Sequence, residues 1–448
     1  MPAGPDPRDN DARMLTDAQD LPVTTERPET IDAIDRFVQS FLGYGTDFQA
    51  ILDAAEDDPS CVVAQAHAAA LMLFAETGDA ADKARPYIRR GIEAAQQVTE
   101  RERLYLWTIS TWAAGDYGMS MTAHKALAQK YPRDIAAIKI GQVRAFSLGD
   151  SPGILALGEA GLSANAENHF AHGMVAFGYE QCHRLRDAEA AGRKAVEMDR
   201  RDPWAHHAVA HVMETEGRID EGLAWMHGLA DTWETCNSFM YTHNWWHVAL
   251  LQLDHDDHEG ALKTYDTRVW GRLKEYSQDQ VNAVSLLARL QLRGVDVRDR
   301  WTDVASYLAP RTDEHVDPFL DLHYLYGLAK AGRDGEAAQL LTGIMAHAGK
   351  VKPVQQVMWQ QVAVPTARAL IGYILGRFEE AADILGQVLP NLHRIGGSHA
   401  QRDLFEQVHL DALMQAGRTE AARAIVERRL ARRPNIAHTR RLAERLAG

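Results

Sequence analysis

Residues His169–Arg201 read HFAHGMVAFGYEQCHRLRDAEAAGRKAVEMDRR. The second half, Asp187 to Asp199, carries Ala188 and Ala195 seven residues apart, two turns of helix, so both small residues lie on one face. Small residues at that spacing let a second helix approach closely, and Pro203-Trp204 opens the next helix almost at once. Setting Ala188 against Gly222 gives a period of 34 residues, one whole helix–turn–helix unit. This single stretch predicts a chain built from stacked helical hairpins.

Working outward, the same punctuation recurs at Gly78, Gly149, Gly217, Gly332, Gly376 and Gly417, each before an Ala-rich helix, and almost no segment alternates with the period of a strand. The plan is that of an all-α, tetratricopeptide-repeat-like superhelix, or solenoid, curled around a concave polar pocket. Residues 1–27 are polar and rich in Pro and Asp, which predicts a flexible arm, and residues 28–448 a single solenoid. The repeat signal fades between about Trp270 and Pro318 and again from Lys350 to Thr366, where irregular helices are expected. Near Glu259 the register stays open, because either Gly260 or Ala261 fits the small-residue place.

Composition narrows the function. Lys and Arg number 48 against 62 Asp and Glu, a formal charge of −14, which argues against a protein that works by neutralising nucleic-acid phosphates. Cys61, Cys182 and Cys236 stand far apart without a CxxC pair, the N-terminus has no apolar signal core, and no apolar run is long enough to span a membrane. A cytoplasmic protein is expected. Phosphate loops, dinucleotide glycine fingerprints and a Gly-x-Ser-x-Gly elbow are absent, so no nucleotide cofactor and no serine nucleophile are expected.

In such a solenoid the first helix of each hairpin lines the concave face, at roughly repeat positions 2, 5, 6, 9, 12 and 13. Counting from Gly222 puts His207, His211 and Glu214 on one inward stripe. The preceding repeat turns Phe177 and Glu180 inward, and His243 and His247 join them if Ala261 sets the register. Trp204, Trp245, Trp246 and Tyr179 would wall a ligand pocket. His323, Arg402 and Asp403 are further candidates for substrate contact. Two His-x3-His pairs suit a divalent metal ion held by His207, His211, His243 and His247, although Ala208 and Asn244 stand where a zincin needs Glu. Without a metal, imidazoles beside Glu214 or Glu180 suit acid–base work near neutral pH. His67, His124, His227 and His347 read as surface or core residues, and His255 and His258 as part of a solvated turn.

His206–Glu214, Gly217-Arg218 and His243-Asn244-Trp245-Trp246-His247 resemble the signature stretch of the tetratricopeptide repeat protein 38 family. Arg101-Glu102-Arg103, Trp112, Gly115-Asp116, Pro132-Arg133-Asp134, Leu287 through Trp301 and Ala400-Gln401-Arg402-Asp403 extend the resemblance from about Thr30 to the last helix. It implies a helical repeat fold and no particular reaction. Asn282 stands where relatives are expected to have Asp, and His399 where some have Asn, which leaves Arg402 and Asp403 as the polar candidates there. The expected function is small-molecule binding, with acid–base or metal-assisted hydrolysis as its sharper form; the alternative is a scaffold that holds a peptide or partner protein in the concave groove.

Overall fold

The computed structural model of the chain describes residues 14–447. From Pro28 onward the described residues form paired antiparallel helices, as the Gly punctuation predicts. The hairpin His169–Gln181 with Leu185–Met198 shows how. Asn168 caps the first helix by accepting from the Phe170 amide, and three residues turn the chain back. A Cβ on Gly192 would stand 2.5 Å from Val209 Cγ2, so the contact with the following Pro203–Glu216 helix requires a residue without one. That helix is capped by Asp202, starts at Pro203 and stops at Gly217, whose φ of +71° closes it in the left-handed conformation. Ala261 is fully buried and Gly260 is not, which fixes the register left open above and turns His243 and His247 inward.

The weak-signal regions differ in character. The first holds two regular helices, Ser277–Leu292 and Arg300–Leu308. The second is irregular, with a π-helical turn at Val357–Ala363.

The expected flexible arm is corrected in part: residues 1–13 lie outside the described residues, but the strands Met14–Thr16 and Pro22–Thr24 pair antiparallel and pack down. Val23 is fully buried. Arg101, ion-paired to buried Asp134 at 2.7 Å, donates to the Pro22 carbonyl, and both carboxylate oxygens of Glu102 accept from Thr24. Polar sequence here serves buried partners instead of solvent.

The superhelix closes on itself. Glu76 accepts from Ser277 and Gln278, Arg311 donates to the Glu76 carbonyl, and Lys352 donates to the Ala114 carbonyl at 2.8 Å. At the other end Arg289 donates to the Ala400 carbonyl, and Asn435 to that of Gly217. All three cysteines are free. No helix among the described residues is long and apolar enough to cross a membrane.

Candidate functional site

Neighbouring inward helices, Pro203–Glu216 and Ser238–Asp254, bring His207, His211, His243 and His247 together. All four are buried, and one nitrogen of each lies within 4.8 Å of the others. His207 Nε2 is the hub, 3.0 Å from His211 Nε2 and 3.1 Å from His243 Nε2. The outer nitrogens are held from behind. Asn282, on Ser277–Leu292, accepts from His243 Nδ1 at 3.0 Å, and its amide donates to the Thr242 hydroxyl, which fixes which way it points. Glu214 accepts from His247 Nδ1 at 3.2 Å, and Glu180 Oε1 stands 3.7 Å from His211 Nδ1. Protons on the Nδ1 atoms of His243 and His247 leave their Nε2 lone pairs turned inward, and His247 Nε2 has no partner.

Burial governs the electrostatics. It drives His207, His211 and His247 far below the ordinary imidazole range, neighbouring imidazoles adding to the effect, and takes His243 down to about 4. Burial pushes Glu180 up to about 7 and Glu214 up to about 8. These imidazoles are therefore neutral at neutral pH, outside the range that the acid–base expectation assumed.

Phe177 packs on His207 and His211, Trp204 stacks on His207 with ring centres 4.6 Å apart, and Trp246 stacks on His243 at 5.3 Å. Other sequence candidates fall elsewhere. Trp245 packs against Trp233 and His227, because two residues on from His243 is the opposite side of a helix. Tyr179, two on from Phe177, meets Arg184. His323 donates to the Phe319 carbonyl within its own helix and sits between the Phe319 and Phe405 rings. Arg402 donates to the Gly396 and Gly397 carbonyls on the Glu180 side. Asp403 is taken by Arg429 at 2.6 Å and by Gln407, an internal ion pair and not a free contact.

The curl lines a partly open cavity of about 470 Å³, and its wall is not the histidine cluster. Phe37, Phe41, Phe48 and Phe74 from the first helices, Phe239 and Tyr276 from the middle, and Phe319 further on face it, with Trp204 and Phe239 standing between the cavity and the imidazoles. Sequence reasoning missed these rings, since no local spacing links positions as far apart as Phe37 and Phe319. Lys139 also lines the cavity. Its ammonium lies 3.6 Å over the Trp204 ring and 5.3 Å from that of Tyr44, it forms no ion pair among the described residues, and burial pushes its pKa down to about 7. The carboxylate whose charge acts on it, that of Asp202, is engaged by Trp204, Ala205 and His169.

No family model matches the chain. Among solved structures it is similar to the APC/C hetero-tetramer Cut9-Hcn1, at 13% identity and a TM-score of 0.45 over 94% of this chain and 71% of that one. It is similar to the human IFIT1 dimer with PPP-AAAA at 11% identity and a TM-score of 0.40, over 98% and 99%. The P58(IPK) TPR domain matches at 14% identity and a TM-score of 0.21, over 71% and 99%. The likeness is one of fold alone. The chain is a tetratricopeptide-like helical-repeat protein, a conclusion its own paired helices carry.

Proposed function

We propose that the protein binds a small organic acid with an apolar, ring-bearing or aliphatic body. The observation that carries this reading is the aromatic-walled cavity with the Lys139 ammonium in its wall, paired to neither of the carboxyl groups, Glu76 and Asp317, that also line it. A buried cation without an anionic partner is costly, and a ligand carboxylate would satisfy it while the rings cover the rest of the molecule. None of the four imidazoles lines the cavity and all are held neutral, so binding is supported ahead of turnover.

A panel of apolar carboxylic acids, each with its primary amide, tests this by thermal shift and calorimetry. Acids should bind and amides should not, and Lys139→Met should remove the difference. Equal binding of acid and amide, or no binding by any acid, would sink the reading. The second reading is a scaffold for a peptide or partner protein, and the repeat build shared with the solved structures agrees with it better than with a small ligand. Closure across Glu76–Ser277 and Arg289–Ala400 works against an open groove, and retention of one defined peptide with no response to acids would favour the scaffold. On the motifs at His206–Glu214 and His243–His247 we also propose kinship with the tetratricopeptide repeat protein 38 family.

A further inference from the structure

We propose that His207, His211, His243 and His247 bind one divalent transition-metal ion, zinc being the ion whose tetrahedral preference fits them. The site lies behind Trp204 and Phe239 and does not depend on what fills the cavity.

The donor geometry comes first. Four imidazole nitrogens at about 2.0–2.1 Å from a zinc ion stand about 3.3 Å apart along each edge of the tetrahedron. The Nε2 atoms of His211 and His243 are 3.0 and 3.1 Å from that of His207, and no pair in the set exceeds 4.8 Å, so the widest edge closes by about 1.5 Å on binding. Such a closure is within reach of side-chain rotation on two helices that are already neighbours.

Proton inventory points the same way. A neutral imidazole carries one proton. Asn282 and Glu214 hold those of His243 and His247 on Nδ1, so bare lone pairs crowd the centre. His207 Nε2 has at most one proton to offer its two close neighbours, and His247 Nε2 is buried with no partner. With at most one proton among them, the inward nitrogens converge in a buried space with more lone pairs than donors, and a cation among them would satisfy the excess. The outer partners are those a metal centre uses: an amide oxygen on His243, and carboxyl groups on His247 and beside His211, which orient the rings. Arg402 and Arg289 flank those carboxyl groups, and Lys139 lies on the His207 side, so the ion is not the only positive charge nearby. All-nitrogen ligation selects against calcium and magnesium, which take oxygen. With four protein ligands the centre is closed, so the ion fastens Pro203–Glu216 to Ser238–Asp254 and thereby sets the cavity wall.

The test is titration of the metal-stripped full chain with zinc and, separately, with cobalt(II), whose visible spectrum distinguishes tetrahedral from octahedral coordination. One ion per chain, an intense tetrahedral cobalt spectrum and a zinc-dependent rise in melting temperature are expected. His211→Ala and His247→Ala should each lose at least about 100-fold in affinity, and Asn282→Ala, which keeps all four ligands, about 10- to 100-fold. Should the histidine variants fail to fold, the wild-type cobalt spectrum and the Asn282→Ala affinity decide the matter alone. No binding by the wild type, an octahedral spectrum, or equal metal content in wild type and His211→Ala would overturn the proposal.

Discussion

Replacing Lys139 with Met should stabilise the unliganded protein while abolishing recognition of an acid. The magnitude follows from burial. Moving the ammonium from a reference pKa of 10.5 to about 7 is a gap of about 3.5 units, which at about 1.36 kcal/mol per unit makes its burial cost roughly 4 kcal/mol near neutrality. Methionine fills similar volume without charge and forgoes a cation–π contact worth about 1–2 kcal/mol, leaving a net gain of roughly 2–3 kcal/mol. The pH dependence separates this cause from better packing. Between about pH 7 and pH 10 the unfolded chain keeps a proton that the folded chain has released, so wild-type stability gains a term that rises with pH. The variant lacks that term, and its advantage should shrink steadily across the window. Denaturant unfolding of both proteins at matched pH values measures this, with all other titrating groups cancelling in the difference. A variant no more stable than wild type at neutral pH, or an advantage that stays constant up to about pH 10, would refute the reasoning.

Three further changes probe the frame. Gly397→Ala forces a side chain onto a residue with φ +76° and puts a Cβ 2.6 Å from Phe319 Cε2 at the cavity wall; a loss of about 1–3 kcal/mol in chemical denaturation is expected. Arg101→Met leaves the buried Asp134 carboxylate unpaired, so a loss of about 3–5 kcal/mol is expected, with earlier protease cleavage between residues 14 and 27. Glu76→Ala removes the acceptor for Ser277 and Gln278 beside the cavity, and stopped-flow release of a bound acid should quicken while the denaturation midpoint moves little.

Helical periodicity made much of this legible. The 188–222 spacing set the hairpin repeat, and i, i+4 histidines on inward helices were enough to foresee that two pairs meet. The same periodicity, followed strictly, places Trp246 on the His243 face and Trp245 off it. What local pattern cannot carry is closure: Phe37, Tyr276 and Phe319 become neighbours only because the superhelix returns upon itself. Nor does polarity of a segment reveal its partners. The stretch from Met14 to Thr24 reads as solvated, yet it is ordered by Arg101 and Glu102 about 80 residues away. Asn282 is the instructive departure: no use as an acidic ligand, it serves as the amide that orients His243.

Open repeat arrays unravel from their tips, because each unit leans only on the next. Here early hairpins are tied to residues 277, 311 and 352, and late ones reach back to Gly217 and Asp254, so neither tip is free to fray alone. Such a ring should melt in one cooperative step, and removing its last helices should loosen helices in the middle of the chain along with those at the end. It should also assemble late, since the ties that seal it join residues far apart in sequence and can form only after the hairpins between them exist.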